Sequence, residues 1–188
     1  MSVNVIHILG ASGCGTSTLG QALERQHGYK WLDTDHFFWF QTHLPFTSKR
    51  HHEERIPLMA EAIAQNPKCV ISGSLCGWGD VFIPKFNIVV FIYTPADIRM
   101  ERLRKREHER YGDRILKGGD MHDTHLHFLE WAMAYDAGGI GMRSLKMHEE
   151  WLKGLDCPII RLDGTDTCEQ HLMNLERFLK GAHNHENN

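Results

Sequence analysis

Gly10, Ala11, Ser12, Gly13, Cys14, Gly15, Thr16, Ser17 and Thr18 are the residues whose types and spacing carry the clearest chemistry. Three glycines allow backbone conformations that side chains forbid. Successive N–H groups can then converge on one anion, and a helix starting at the end of the segment adds the positive end of its dipole. The spacing fits the phosphate-cradle pattern G-x-x-x-x-G-K-[ST] at every position but one, because Thr16 stands where the pattern has lysine. Ser17 falls where that pattern places a Mg2+-ligating hydroxyl. The competing reading is a glycine-rich turn after a buried strand that binds nothing. The flanks favour the cradle: the apolar run Val3–Leu9 precedes it and the amphipathic stretch Leu19–His27 follows, giving strand, turn and helix.

Asp33-Thr34-Asp35 ends a second apolar run. Two carboxylates two residues apart lie on one side of an extended chain. There they can serve a bound cation and a substrate hydroxyl, the two needs of phosphoryl transfer. A turn or helix N-cap is the plainer use of such aspartates. Arg99, Arg102, Arg106 and Arg110 share one helix face, and Arg114 follows in a glycine-rich, charged stretch, Tyr111–Asp123. They form either a solvated face paired with glutamates or an arginine lid that clamps a phosphoryl group. Four consecutive aromatics, Phe37 to Phe40, precede Lys49, Arg50 and Arg55. About two of the rings belong to the core. The others, Trp39 among them, can wall an acceptor pocket in which Lys49, Arg50 or Arg55 binds an anionic substituent. Gly73, Ser74 and Trp78 follow a third apolar run and allow close backbone approach to a ligand, although a plain turn explains the glycines equally well. Asp163-Gly164-Thr165 follows the last run and can lie against an adenine ring. His122, His125 and His127 lack the spacing of a helical zinc pair and read as surface or packing residues.

The positioning elements are strands over Val3–Leu9, Tyr29–Leu32, Cys69–Ser72, Ile88–Tyr93 and Pro158–Leu162. They alternate with helices over Ser17–His27, Glu53–Gln65, Pro95–Glu107, Thr124–Tyr135, Arg143–Leu152 and Thr167–Leu179. Pro95 suits a first helical turn with Thr94 as its cap. This alternation predicts a parallel sheet wrapped by helices, with ligands at the carboxyl ends of its strands. A chain of 188 residues fits one domain. The net charge of −3 and the lack of a basic patch argue against nucleic acid and membrane surfaces. No 18-residue apolar run or signal-peptide profile occurs, and five cysteines without C-x-x-C spacing read as reduced thiols, so a soluble cytoplasmic protein is expected.

The order of phosphate loop, D-x-D, glycine segment, arginine-rich lid and D-G-T loop resembles the P-loop small-molecule kinases. These include shikimate kinase and the adenylate-kinase-like nucleoside monophosphate kinases. The resemblance spans nearly the whole chain and is closest to a subgroup with a Gly-Thr-Ser/Thr-Thr phosphate loop. It implies an α/β P-loop NTPase fold: a five-stranded parallel sheet flanked by helices, with a mobile arginine-rich lid over roughly residues 104–123. One domain would cover 1–180, with a polar tail over 181–188. ATP and Mg2+ are the implied cofactors and a small-molecule phosphoryl acceptor the implied partner. By this resemblance Gly10 and Ser12 to Thr18 hold the ATP phosphates, and Ser17 and Asp33 serve the metal. Asp35 binds or deprotonates the acceptor hydroxyl. Arg106, Arg110 and Arg114 are the lid arginines, and Asp163, Gly164 and Thr165 flank the adenine. Three departures stand out. Thr16 replaces lysine, Gly73-Ser74-Leu75 replaces the three glycines of shikimate kinases, and the D-x-D is foreign to adenylate kinases. The expectation is Mg-dependent, in-line phosphoryl transfer from ATP to a small metabolite or nucleoside monophosphate. The second reading, which Thr16 favours, is a nucleotide-binding regulatory protein with weak or no kinase activity.

Overall fold

The structure is a computed structural model and describes residues 3–184. Five strands, Val5–Gly10 (β1), Lys30–Asp33 (β2), Cys69–Ser72 (β3), Ile88–Tyr93 (β4) and Ile159–Asp163 (β5), form one sheet in the order β2-β3-β1-β4-β5. Every pairing is parallel. Each crossover therefore needs a covering segment, and the helices supply it. Thr16–His27 (α1) and Cys168–Asn184 (α7) bear the core on one face, with Ile6, Ile8, Val70, Val90 and Ile92 from the sheet. His52–Gln65 (α3) and Leu145–Lys153 (α6) close the other face over Leu9, Ile71, Val89 and Phe91. Alternate residues of β1 and β4 thus enter opposite cores, which is why these strands read as unbroken apolar runs. His7 of β1 is fully buried within its run, and burial lowers its pKa to about 4.

Three elements depart from the sequence expectation. Thr34–Phe38 (α2) is a short helix, because the Asp33 carboxylate accepts from the Asp35 N–H and turns the chain. Ala96–Tyr111 (α4) begins after Pro95, which is itself the N-cap at ψ 149°, so Thr94 does not cap. Thr94 is instead buried, and its hydroxyl has no hydrogen-bond partner among the described residues. α4 also runs past Glu107, carrying Arg110 on its last turn. His122–Met133 (α5) follows a 3₁₀ turn at Gly112–Ile115, and buried Ile115 and Met121 anchor the two ends of the stretch between them. α7 continues to Asn184, beyond the expected boundary at 180, and residues 185–188 of the expected polar tail lie outside the described residues.

Arg99 is expected from its spacing to share a face with Arg102, Arg106 and Arg110, yet it is 0% exposed. Its guanidinium donates to Thr94 O at 3.0 Å, Ala132 O at 3.0 Å and Asp136 Oδ2 at 2.6 Å, and stacks 5.1 Å from the Tyr135 ring. It fastens the end of β4 to the end of α5. Removing it strands two carbonyls and a carboxylate. Arg99→Met is expected to lower the unfolding free energy by about 3 kcal/mol in urea denaturation. Arg102→Met, at an exposed position, is expected to change it by less than about 0.5 kcal/mol.

Candidate active site

The carboxyl ends of all five strands carry the residues singled out in the sequence. The phosphate loop leaves β1 at Gly10 and enters α1 at Thr16, with Gly15 as a left-handed N-cap at φ 101°. Gly13 has φ 84°, and a Cβ there would come within 2.9 Å of the Arg99 carbonyl oxygen. The loop therefore leans directly on the first turn of α4. The first turn of α1 holds no acidic residue, which leaves its dipole free for an anion. Cys14 faces inward, 1% exposed, and burial pushes its thiol up to about 11, so it is a packing group.

Ser17 Oγ donates to Asp33 Oδ2 at 3.3 Å. This brings the two expected metal ligands together across the α1–β2 boundary. The donor set is hard oxygen, which suits Mg2+, and a cation there would offset the buried charge of Asp33. Burial raises the pKa of Asp33, and the Asp35 carboxylate raises it further, against the pull of the Asp35 N–H and the Ser17 hydroxyl. Asp35 sits half-buried in the first turn of α2, so the two carboxylates do not share one side of an extended chain as expected. Gly73, after β3, has φ 106°, and any side chain on it would overlap Thr34 Oγ1. The turn after β3 is thereby pressed against the D-x-D segment.

The residues expected to wall an acceptor pocket gather beside it. A hairpin-like strap is closed by Phe40 N–H to Ser48 O and Arg50 N–H to Phe38 O, both 2.9 Å. It carries Lys49 5.8 Å from the centroid of Trp39 and the Arg50 guanidinium 4.4 Å from that of Phe40. Arg55 lies 3.8 Å over Phe38 and 6.0 Å from Trp78. Trp78 is buried and donates to the Ser74 carbonyl at 3.0 Å. A cavity of about 400 Å3 lined by His52, Ile56, Trp78 and Val81 opens next to it. Phe37 and Phe38 pack on the core, so two of the four aromatics are structural, as the sequence indicates.

The lid arginines are differently placed. Arg106 contacts Glu107 at 2.9 Å, and Arg114 makes two bonds to Asp120, at 2.9 and 2.8 Å. Arg110 is exposed near the end of α4. Asp163 accepts from Thr165 N–H at 2.9 Å and from Thr165 Oγ1 at 2.8 Å, bonds that lower its pKa. Gly164 donates to Tyr93 O at 2.6 Å, which holds this loop at the end of β4, beside the strand that carries the phosphate loop.

This geometry agrees with three comparisons. The family model described as an AAA domain matches residues 6–125. The chain belongs to that family, in its P-loop group resembling shikimate and nucleoside monophosphate kinases. It is 46% identical to the uncharacterized protein YqaC of Bacillus subtilis over 163 residues, covering 87% of this chain and 89% of that protein. It is 27% identical to shikimate kinase 2 of Pectobacterium atrosepticum over 113 residues, 53% of this chain and 63% of that one. Its fold resembles shikimate kinase from Bacteroides thetaiotaomicron, with a TM-score of 0.56 at 18% identity over 94% of this chain and 98% of that one. The kinase-like P-loop fold is therefore established. No helix among the described residues is long and apolar enough to cross a membrane.

Sequence reading missed Tyr135 and His148, which reach the site from behind through Ser74. His148 is 0% exposed, with Nδ1 2.8 Å from Tyr135 Oη and Nε2 3.1 Å from Ser74 Oγ. The Ser74 hydroxyl is thus turned towards α6. No spacing rule could have found this trio, because its members stand 61 and 13 residues apart and meet only across the fold.

The raised pKa of Asp33 makes it a site under strain. In the folded state it holds its proton to higher pH than in the unfolded chain, so stability falls as pH rises through that window and stays low above it. Asn still caps a helix. Asp33→Asn is therefore expected to melt at higher temperature than the native chain at pH 7, with the gap closing as pH drops through the carboxylate range. Thermal melts between pH 4 and pH 8 without divalent cation measure this, and a lower melting temperature for the variant at pH 7 contradicts it.

Proposed function

We propose that the protein is an ATP-dependent phosphotransferase acting on a small hydroxylated metabolite, with Ser17 and Asp33 holding Mg2+. The observation that carries this reading is the Ser17–Asp33 contact at the mouth of the phosphate loop, with Asp35 in the first turn of α2 beside it. A bare phosphate-binding loop has no need of two carboxylates there. The bound cation supplies charge neutralisation of the phosphate oxygens. The loop N–H groups and the α1 dipole bind the β- and γ-phosphates. Asp35 accepts the proton of the acceptor hydroxyl as its oxygen forms the new bond to the γ-phosphorus and the bond to the ADP oxygen breaks. Arg106, Arg110 and Arg114 lie on the segment that would close over the transferring group, and closure exchanges the Arg114–Asp120 pair for contacts to phosphate.

Two features favour a carboxylated or phosphorylated acceptor: the cations Lys49, Arg50 and Arg55, and the likeness to proteins named as shikimate kinases. Gly73-Ser74-Leu75 argues against a copy of the shikimate site. Nucleoside monophosphates stay within this class, and the aromatic strap gives their bases a surface to meet. Thr16 supports the second reading, a nucleotide-binding regulator with weak turnover, because a threonine supplies no ammonium to the β- and γ-phosphates.

The deciding experiment measures ADP release from Mg·ATP across hydroxy acids, polyols, nucleosides and nucleoside monophosphates. Acceptor-dependent release is expected, falling at least about 100-fold in kcat for Asp35→Asn. Tight ATP binding with no stimulation by any acceptor would instead establish the regulator. Thr16→Lys separates the two further: a site built around threonine loses turnover on this change, whereas a degraded kinase gains it.

A further inference from the structure

The hydrogen-bond chain behind the turn after β3 has a direction. Tyr135 is 3% exposed and His148 0%. Among the described residues, the partner of the Tyr135 phenol is His148 Nδ1, at 2.8 Å. A phenol keeps its proton here, since burial raises its pKa, and it must donate that proton. Nδ1 is therefore the acceptor, and the imidazole proton sits on Nε2. Burial holds the ring neutral, with its pKa lowered to about 3. Nε2–H donates in turn to Ser74 Oγ at 3.1 Å.

Both ends of this chain are tied to the site. At one end, Tyr135 lies beneath the Arg99 guanidinium, and the Arg99 carbonyl buttresses Gly13 of the phosphate loop. The Tyr135 carbonyl accepts from Leu145 N–H at 2.9 Å, which fixes the start of α6 and hence His148. At the other end, Ser74 follows Gly73, whose N–H donates to Ile8 O at 2.9 Å and where Thr34 Oγ1 leaves no room for a Cβ. Thr34 separates Asp33 from Asp35. Leu75, fully buried in the core, and the Trp78 ring N–H on the Ser74 carbonyl seat the far side of the turn, and the His148 bond to the Ser74 hydroxyl holds the side nearer Gly73.

We propose that Tyr135 and His148 are positioning residues: through the Ser74 hydroxyl they fix the turn at residues 73–75, and through its contact with Thr34 they set Asp35 relative to the phosphate loop. The kinetic half of this inference rests on the phosphotransferase reading. It makes the turn after α5 and α6 itself, which lie outside the phosphate loop and the D-x-D, part of the machinery that places the acceptor. It also explains why a serine stands here, because a glycine at 74 would offer His148 no partner.

Tyr135→Phe deletes one oxygen and keeps the ring, so the variant retains the packing around Arg99. Amide hydrogen exchange and steady-state kinetics are measured on the native chain, Tyr135→Phe, Ser74→Ala and the double variant. Exchange over residues 73–78 is expected to rise about tenfold in Tyr135→Phe, with β1 and β4 unchanged. The KM for the acceptor is expected to rise about tenfold, with the KM for ATP within about twofold. The double variant is expected to match Ser74→Ala alone, as for residues acting in one chain. A uniform rise in exchange, no rise, or equal shifts in both KM values would overturn the proposal. A native chain that turns over no acceptor refutes the phosphotransferase reading, and the exchange pattern then decides the positioning role by itself.

Discussion

A cation with no access to water organises this molecule. Buried guanidinium groups are tolerated only when they are hydrogen-bonded, and each Arg99 nitrogen has a partner: two carbonyls and one carboxylate, with an aromatic face beside them. Because those partners belong to the end of β4 and the end of α5, the two cannot separate without exposing the charge to an unsatisfied interior. The phosphate loop uses the same residue differently: Gly13 has no side chain, so the loop can rest on the Arg99 backbone. The sheet, the loop and the base of the lid region thus share one fixed point. The stretch between α4 and α5 hangs from that point and is held also by buried Ile115 and Met121 and by the exposed Arg114–Asp120 pair. Exposed pairs of this kind hold weakly, which would suit the lid role proposed for this segment.

Electrostatics around the loop are balanced without the lysine. The folded protein keeps Asp33 half-buried next to Asp35, and the rise in its pKa records the unfavourable energy of that arrangement. On the phosphotransferase reading, a divalent cation held by Ser17 and Asp33 would offset the Asp33 charge, and the α1 N-terminus, free of acidic residues, would face the phosphates it accompanies.

What the sequence revealed and what it hid divide along a physical line. Strands showed through because β1 and β4 are buried on both faces, so their apolar runs are unbroken, and the phosphate loop showed through because its glycines are needed at fixed positions. Local competition hid α2: Asp33 reads equally as a strand residue and as a cap, and only its bond to the Asp35 N–H decides. Pro95 misled for a related reason, since its extended ψ makes it the cap and excludes Thr94 from that role. Arg99 was the deepest failure. Its spacing matches Arg102, Arg106 and Arg110, and periodicity cannot tell a buried cation from a solvated one when its partners, Ala132 and Asp136, lie more than thirty residues away. The same distance hid His148 from Ser74. Spacing finds what neighbours do for one another, whereas this site is built largely by elements that meet across the sheet.

The two sets of basic residues flanking the cleft differ in how their charge is held, and that difference bears on the order of binding. Arg106 and Arg114 already face carboxylates, so contact with phosphate requires an exchange of partners. Lys49, Arg50 and Arg55 rest on the faces of Trp39, Phe40 and Phe38, and no carboxylate pairs with them among the described residues. Arg50 Nε is buried there without a hydrogen-bond partner. Arg55 Nε donates to the Arg50 carbonyl at 2.7 Å, which fixes its guanidinium over Phe38 and leaves its terminal N–H groups for an oxyanion, and a planar guanidinium loses little freedom when an anion arrives. On the phosphotransferase reading, the acceptor side would thus be preorganised and the lid side would not. An anionic acceptor would meet a formed site, whereas Arg106 and Arg114 would leave Glu107 and Asp120 only when the nucleotide and acceptor phosphates together outbid those carboxylates, so that closure over ATP and water alone would be disfavoured.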